Sequence, residues 1–105
     1  MDSGWERIMK LNDALKILSE HRKELRVRYA VRSIALFGSV SRNEASETSD
    51  VDVLVEFDKP IGLFAFAHAR RYLSELLGCE VDLVTPMALR PEMRERILND
   101  AIHAP

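Results

Sequence analysis

Apolar residues along this chain recur first at helical spacing and then at strand spacing. Ile8, Leu11, Leu15, Leu18, Leu25 and Tyr29 fall on one side of a helical repeat, with Lys16, Glu20, Lys23 and Glu24 between them. That spacing predicts an amphipathic helix from about Ile8 to Tyr29. Ser33-Ile34-Ala35-Leu36-Phe37 is a short apolar run stopped by Gly38-Ser39, as expected of a buried strand entering a tight turn. The stretch from Ser41 to Ser49 is polar and rich in small residues, and predicts a loop. Val51, Val53 and Val55 then alternate with Asp50, Asp52, Leu54 and Glu56, which is strand periodicity. After the connector Asp58 to Gly62, a second helix is expected from about Leu63 to Leu77, with Gly78 as its stop signal. Cys79 to Val84 gives another alternating strand, closed by Thr85-Pro86. Pro91 suits the first turn of a last helix reaching Ile102, with Met93, Ile97, Leu98 and Ile102 on one side. The predicted order is α-β-β-α-β-α. This is an α/β (α+β) arrangement, a small mixed sheet with helices packed on it, in one domain over residues 1–105 whose first seven residues are flexible. Phe37, Phe57, Phe64, Phe66 and Tyr72 are expected in the core.

The strand pattern has a chemical consequence. Residues two apart on a strand share a face, so Asp50 and Asp52 project side by side where the second strand opens. Carboxylates held that way repel one another unless a cation lies between them, and flanking valines deepen the penalty by excluding water. Hard oxygen donors in this arrangement suit Mg²⁺, which takes one or two carboxylates plus substrate phosphates. The segment from Val51 through the central helix to Val84 reads as a β-α-β crossover, and such units are parallel. If Val81 and Leu83 face the core, Glu80 and Asp82 share the other face, and Asp82 can stand beside Asp52. A third ligand there permits two metal ions. The link between the first two strands is too short for a helical crossover, so they pair antiparallel. Gly38-Ser39 then lies at the same edge as Asp50. Glycine lets backbone approach a phosphate closely, and a helical turn opening at Ser39 favours anions.

Charge and composition narrow the function classes. A formal net charge of -2, from 15 basic and 17 acidic residues, speaks against a general nucleic-acid binder. It leaves room for a nucleotide substrate, because a metal supplies the positive charge. The one cysteine, Cys79, reads as a small packed hydrophobe rather than a nucleophile. No apolar run approaches membrane-spanning length, so no membrane contact is expected and the cytoplasm is the expected compartment. His21, His68 and His103 lack metal-ligand spacing and read as surface or helix-packing residues. Glu44, Glu47 and Glu56 are expected in solvent. Arg22, Lys23, Arg26, Arg28 and Arg32 read as a solvated face, and Trp5 is given no role.

Gly38-Ser39 followed by Asp50-Val51-Asp52, within Ile34 to Arg42 and Ser49 to Val55 and continuing to Val81-Asp82-Leu83-Val84, resembles the DNA polymerase β-like nucleotidyltransferase superfamily. In that superfamily it is most similar to the minimal nucleotidyltransferases called MNT or MntA antitoxins. The similarity runs from about Ser33 to His103. It implies the polymerase β-like fold, with Asp50 and Asp52 binding catalytic Mg²⁺ and Asp82 as a third carboxylate that aids metal binding and activates the attacking hydroxyl. Gly38 and Ser39 would hold the triphosphate of ATP. Arg42 is either a phosphate contact or a salt-bridged brace of the loop. The resemblance also implies a HEPN-domain toxin as partner, neutralised by transfer of AMP to one of its tyrosine hydroxyls. Two other functions stand beside this one: an antitoxin that neutralises by binding alone, and a nucleotidyltransferase for a small molecule. Val40-Ser41 stands where many members carry an aromatic residue followed by alanine.

Overall fold

The strand that opens with the acidic pair lies at the middle of the sheet. The computed structural model describes residues 10–44 and 50–105. It contains α1 (Leu11–Glu20), α2 (Arg22–Tyr29), β1 (Val31–Phe37), a 3₁₀ turn over Gly38–Arg42, β2 (Val51–Phe57), α3 (Leu63–Leu77), β3 (Val81–Val84), a short 3₁₀ turn over Pro86–Ala88, α4 (Pro91–Asp100) and β4 (Ile102–His103). The strands form one sheet in the order β3-β2-β1-β4. β1 pairs antiparallel with β2 and with β4, while β2 and β3 run parallel. The expected hairpin-like and crossover connections are both present.

Alternation along each strand divides the sheet into two faces. Ile34 and Leu36 of β1, Val51, Val53 and Val55 of β2, and Val81 and Leu83 of β3 are buried in one cluster with Ala14, Leu18, Leu25, Ala69, Leu73 and Leu77 from the helices. α1, α2 and α3 therefore cover one face. The residues between, Asp52 on β2 and Asp82 on β3, belong to the opposite face by the strand period of two. α3 stops at Gly78, whose φ of +71° is the left-handed conformation of a helix C-cap.

The structure departs from the expected arrangement in several places. The first helix is two, broken at His21 (φ -106°, ψ 12°), where the backbone N–H donates to Ile17 O and Leu18 O. The apolar spacing continues across the break, and no proline or glycine marks it. Ile102 is not helical: α4 ends at Asp100, and Ile102–His103 adds to the free edge of β1, with Ala104 N–H donating to Ile34 O at 3.0 Å. Two residues are too few to show a period. Finally, Phe64 is 82% exposed instead of lying in the core, because α3 buries the Ala69, Leu73 and Leu77 stripe and Phe64 falls off it. Phe57, Phe66 and Tyr72 do pack against the core. Met93 and Leu98 are likewise 49% and 41% exposed, and α4 buries no residue. Expectations for the first seven residues, for Ile8 and for Glu47 lie outside the described residues.

Candidate active site

Three chain segments meet at one edge of the sheet. Strand register places Asp52 directly opposite Asp82 on its parallel neighbour and opposite Phe37 on its antiparallel neighbour. A backbone bond from Val51 N–H to Glu80 O, 2.9 Å long, holds the openings of β2 and β3 level. Asp50 precedes β2 by one residue and is exposed, as is Asp82, whereas Asp52 is half-buried. The end of β1 brings Gly38 against Asp52.

Gly38 is required there for two reasons. Its φ of +71° is left-handed, and a Cβ at this position would overlap the Asp52 carboxylate, with Asp52 Cγ at 3.0 Å and Oδ2 nearer still. Beyond it the 3₁₀ turn is braced from within. Ser41 Oγ donates to Gly38 O at 2.7 Å, Asn43 N–H donates to Val40 O at 3.1 Å, and Glu44 N–H donates to Ser39 O at 2.8 Å. Ser39 lies in this turn next to Gly38, and Val40 is fully buried beneath it. Arg42 is exposed and its Nε donates to Glu44 Oε1 at 3.0 Å, so here it is the loop-bracing ion pair of the two readings open for it. Glu56 is also engaged, accepting from Ser33 Oγ at 2.9 Å.

One residue that the sequence reading passed over helps position the turn. Asn43, itself left-handed at φ +55°, accepts Leu11 N–H on its Oδ1 at 3.0 Å. It satisfies one of the N–H groups that the start of α1 leaves without a helical partner. The turn is thereby tied to the helical layer. Asparagine's tolerance of the left-handed region was the available signal, but a bond between residues 32 apart leaves no local pattern.

The electrostatics mark Asp52 as the centre. Burial pushes its pKa from 3.8 up to about 6, and the Asp82 and Asp50 charges, with a hydrogen bond to Asp82, push the same way; Arg42 opposes them. The donor set is therefore all oxygen, crowded, and short of positive charge. Among the described residues no group of three or more His, Cys, Asp or Glu side chains is arranged to hold a metal ion by itself. Mg²⁺ does not need one, since it keeps several waters and completes its shell with substrate phosphates. The residues present fit such an ion. Cys79 packs partly buried against the core, and burial together with Asp50 and Glu80 raises its thiol pKa, so it stays a neutral thiol.

Residues 18–103 match the family model of the nucleotidyltransferase domain. The chain belongs to the nucleotidyltransferase domain family. Within this family it is 41% identical over 96 residues to protein adenylyltransferase MntA of Thermococcus cleftensis, covering 91% of this chain and 97% of that protein. A solved structure assigned as a minimal nucleotidyltransferase superposes with a TM-score of 0.75 at 38% identity, covering 90% of this chain and 95% of that one. A chain from a toxin–antitoxin complex with AMP-PNP shares the fold, with a TM-score of 0.66 at 22% identity over 91% of this chain and 73% of that one. The mixed sheet with its helices is the fold of the minimal nucleotidyltransferases. No helix among the described residues is long and apolar enough to cross a membrane.

Proposed function

We propose that this nucleotidyltransferase transfers AMP from ATP to a tyrosine hydroxyl of a HEPN-domain toxin and so acts as its antitoxin. The observation that carries the reading is the register pairing Asp52 with Asp82, with Gly38 pressed against the Asp52 carboxylate. Asp50, Asp52 and Asp82 would hold Mg²⁺, one ion or two. When bound, Mg²⁺ lowers the pKa of the attacking hydroxyl and offsets charge on the phosphate oxygens. Gly38 and Ser39 seat the triphosphate on the turn, and Arg42 exchanges Glu44 for a phosphate oxygen. Asp82, exposed at the sheet edge, takes the hydroxyl proton. The tyrosine oxygen then bonds to the α-phosphorus as the bond to the bridging oxygen breaks, and pyrophosphate leaves with that electron pair. Positioning and charge neutralisation supply the rate enhancement in such a transfer, without a covalent enzyme intermediate. The likeness to MntA supports the protein acceptor.

The test is to incubate the protein with labelled ATP, Mg²⁺ and a HEPN-domain toxin. Label on a toxin tyrosine, lost with Asp50→Asn plus Asp52→Asn, is the expected result. A double variant that neutralises the toxin as well as the wild type would overturn the catalytic reading in favour of binding alone.

A further inference from the structure

The end of the sheet away from the carboxylates carries apolar surface that no described residue covers. Leu63, Phe64 and Met87 are 81%, 82% and 84% exposed. Leu63 and Phe64 open α3, and Met87 sits in the 3₁₀ turn after β3. Between these two segments lies a trough of about 660 Å³, walled by Phe57, Pro60, Ile61, Leu63, Phe66 and Leu83. A second hollow of about 500 Å³ adjoins it across Phe57 and Pro60 and reaches Met87. At ordinary side-chain areas of about 150–200 Å² the three exposed residues offer roughly 500 Å² of surface, near the top of what a monomer leaves in one apolar patch.

We infer that this face pairs two copies of the chain about a two-fold axis. Three observations favour a second copy over a foreign partner. An isologous contact needs a patch complementary to itself, with knob and hole side by side. Phe64 is such a knob: it stands on α3 between Leu63 and Phe66, both of which line the trough. Each copy's Phe64 ring enters the other's trough. The rim charges match in the same way. Asp58 and Lys59 are adjacent and exposed, and among the described residues neither is in an ion pair. A two-fold axis passing between them sets each Lys59 against the partner's Asp58. Position is the third observation. Phe57 is five residues from Asp52, about 16 Å along β2, and Leu83 and Phe66 put the trough on the helix-covered side of the sheet. A tyrosine-bearing partner seated there would dock on the side of the sheet away from Asp82. A second copy leaves both carboxylate edges open at the outer ends of the pair. The exposed side chains, the trough walls and the rim together approach the roughly 800 Å² per partner of a standard interface, and phenylalanine and methionine are enriched at interface centres. The inference goes beyond the nucleotidyl transfer and does not depend on it.

Sedimentation equilibrium of the full chain reads the association directly, under reducing conditions that keep Cys79 from cross-linking copies. The wild type is expected to rise from the chain mass of 12.0 kDa to twice that mass through the micromolar range and to stop there. Phe64→Glu, at an exposed position outside the core, should raise the dimer dissociation constant about tenfold or more. Lys59→Asp should raise it about three- to tenfold by opposing the partner's Asp58, and adding Asp58→Lys should restore it. Val27→Glu, also exposed but on α2 and outside the trough, should leave it unchanged. A chain that stays at 12.0 kDa, or association that grows past the dimer, would overturn the pairing. Equal losses in Phe64→Glu and Val27→Glu, or a charge swap that restores nothing, would do the same. So would a wild type that is monomeric alone and loses a HEPN-domain toxin on Phe64→Glu, which would assign the face to the toxin. None of these readouts measures transfer, so the carboxylate site stands or falls separately.

Discussion

Asp52→Asn should make the metal-free protein more stable while removing its activity. The Asp52 carboxyl titrates at about 6 in the fold against 3.8 for the ordinary group, so the folded chain holds this proton more tightly than the unfolded chain does. The sign follows by linkage. The stabilising contribution is complete below pH 3.8 and is lost as the pH rises through about 6. At neutral pH the folded state therefore carries an unfavourable charge. At about 1.4 kcal/mol per pH unit the ceiling is ~3 kcal/mol, and solvent reaching this half-buried group reduces it to about 1 kcal/mol. An asparagine has nearly the same shape without the charge. Urea unfolding in EDTA should then show the variant more stable by about 1 kcal/mol at pH 7.5, with the gain vanishing by about pH 4. Millimolar Mg²⁺ should stabilise the wild type and close the gap, because an ion that binds only the folded state adds its binding energy to stability. A variant less stable than the wild type at pH 7.5 in EDTA, or a gain independent of pH, would refute the reasoning.

Two further substitutions test how the turn is built. Gly38→Ala must place a Cβ in the Asp52 carboxylate at a left-handed φ, and should cost about 2–4 kcal/mol in chemical denaturation and abolish transfer. Asn43→Gly keeps the left-handed backbone but removes the acceptor for Leu11 N–H, and should cost about 1 kcal/mol, with faster amide exchange confined to the first turn of α1.

How much of this was legible in the sequence differs from element to element. The carboxylate face was, because a period of two is rigid: once Val51, Val53, Val81 and Leu83 go to the core, Asp52 and Asp82 have only the other side. Pairing β1 with β2 antiparallel and β2 with β3 parallel followed from connection length. The break at His21 was not legible, since Leu18 and Leu25 remain in phase through it and both are fully buried. β4 depends on a free edge of β1, a tertiary fact without a local pattern. The amphipathic reading of α4 identified a real face, and the structure shows Met93 and Ile97 on it bordering an open cleft. Apolar periodicity shows that a face wants covering and is silent on whether protein or ligand covers it. Gly38 was found by its motif, yet the reason no side chain fits there, the adjacent Asp52 carboxylate, is visible only in three dimensions.

The central claim is that Asp50, Asp52 and Asp82 share a divalent cation with a triphosphate seated on the Gly38–Ser39 turn. Crystals grown with Mn²⁺ and a non-hydrolysable ATP analogue, with anomalous scattering recorded for manganese, test it most directly. The account predicts a manganese peak between the facing Asp52 and Asp82 carboxylates, within coordination distance of their oxygens and of a phosphate oxygen. A manganese site away from this pair, or a triphosphate bound elsewhere than the Gly38 turn, would contradict it.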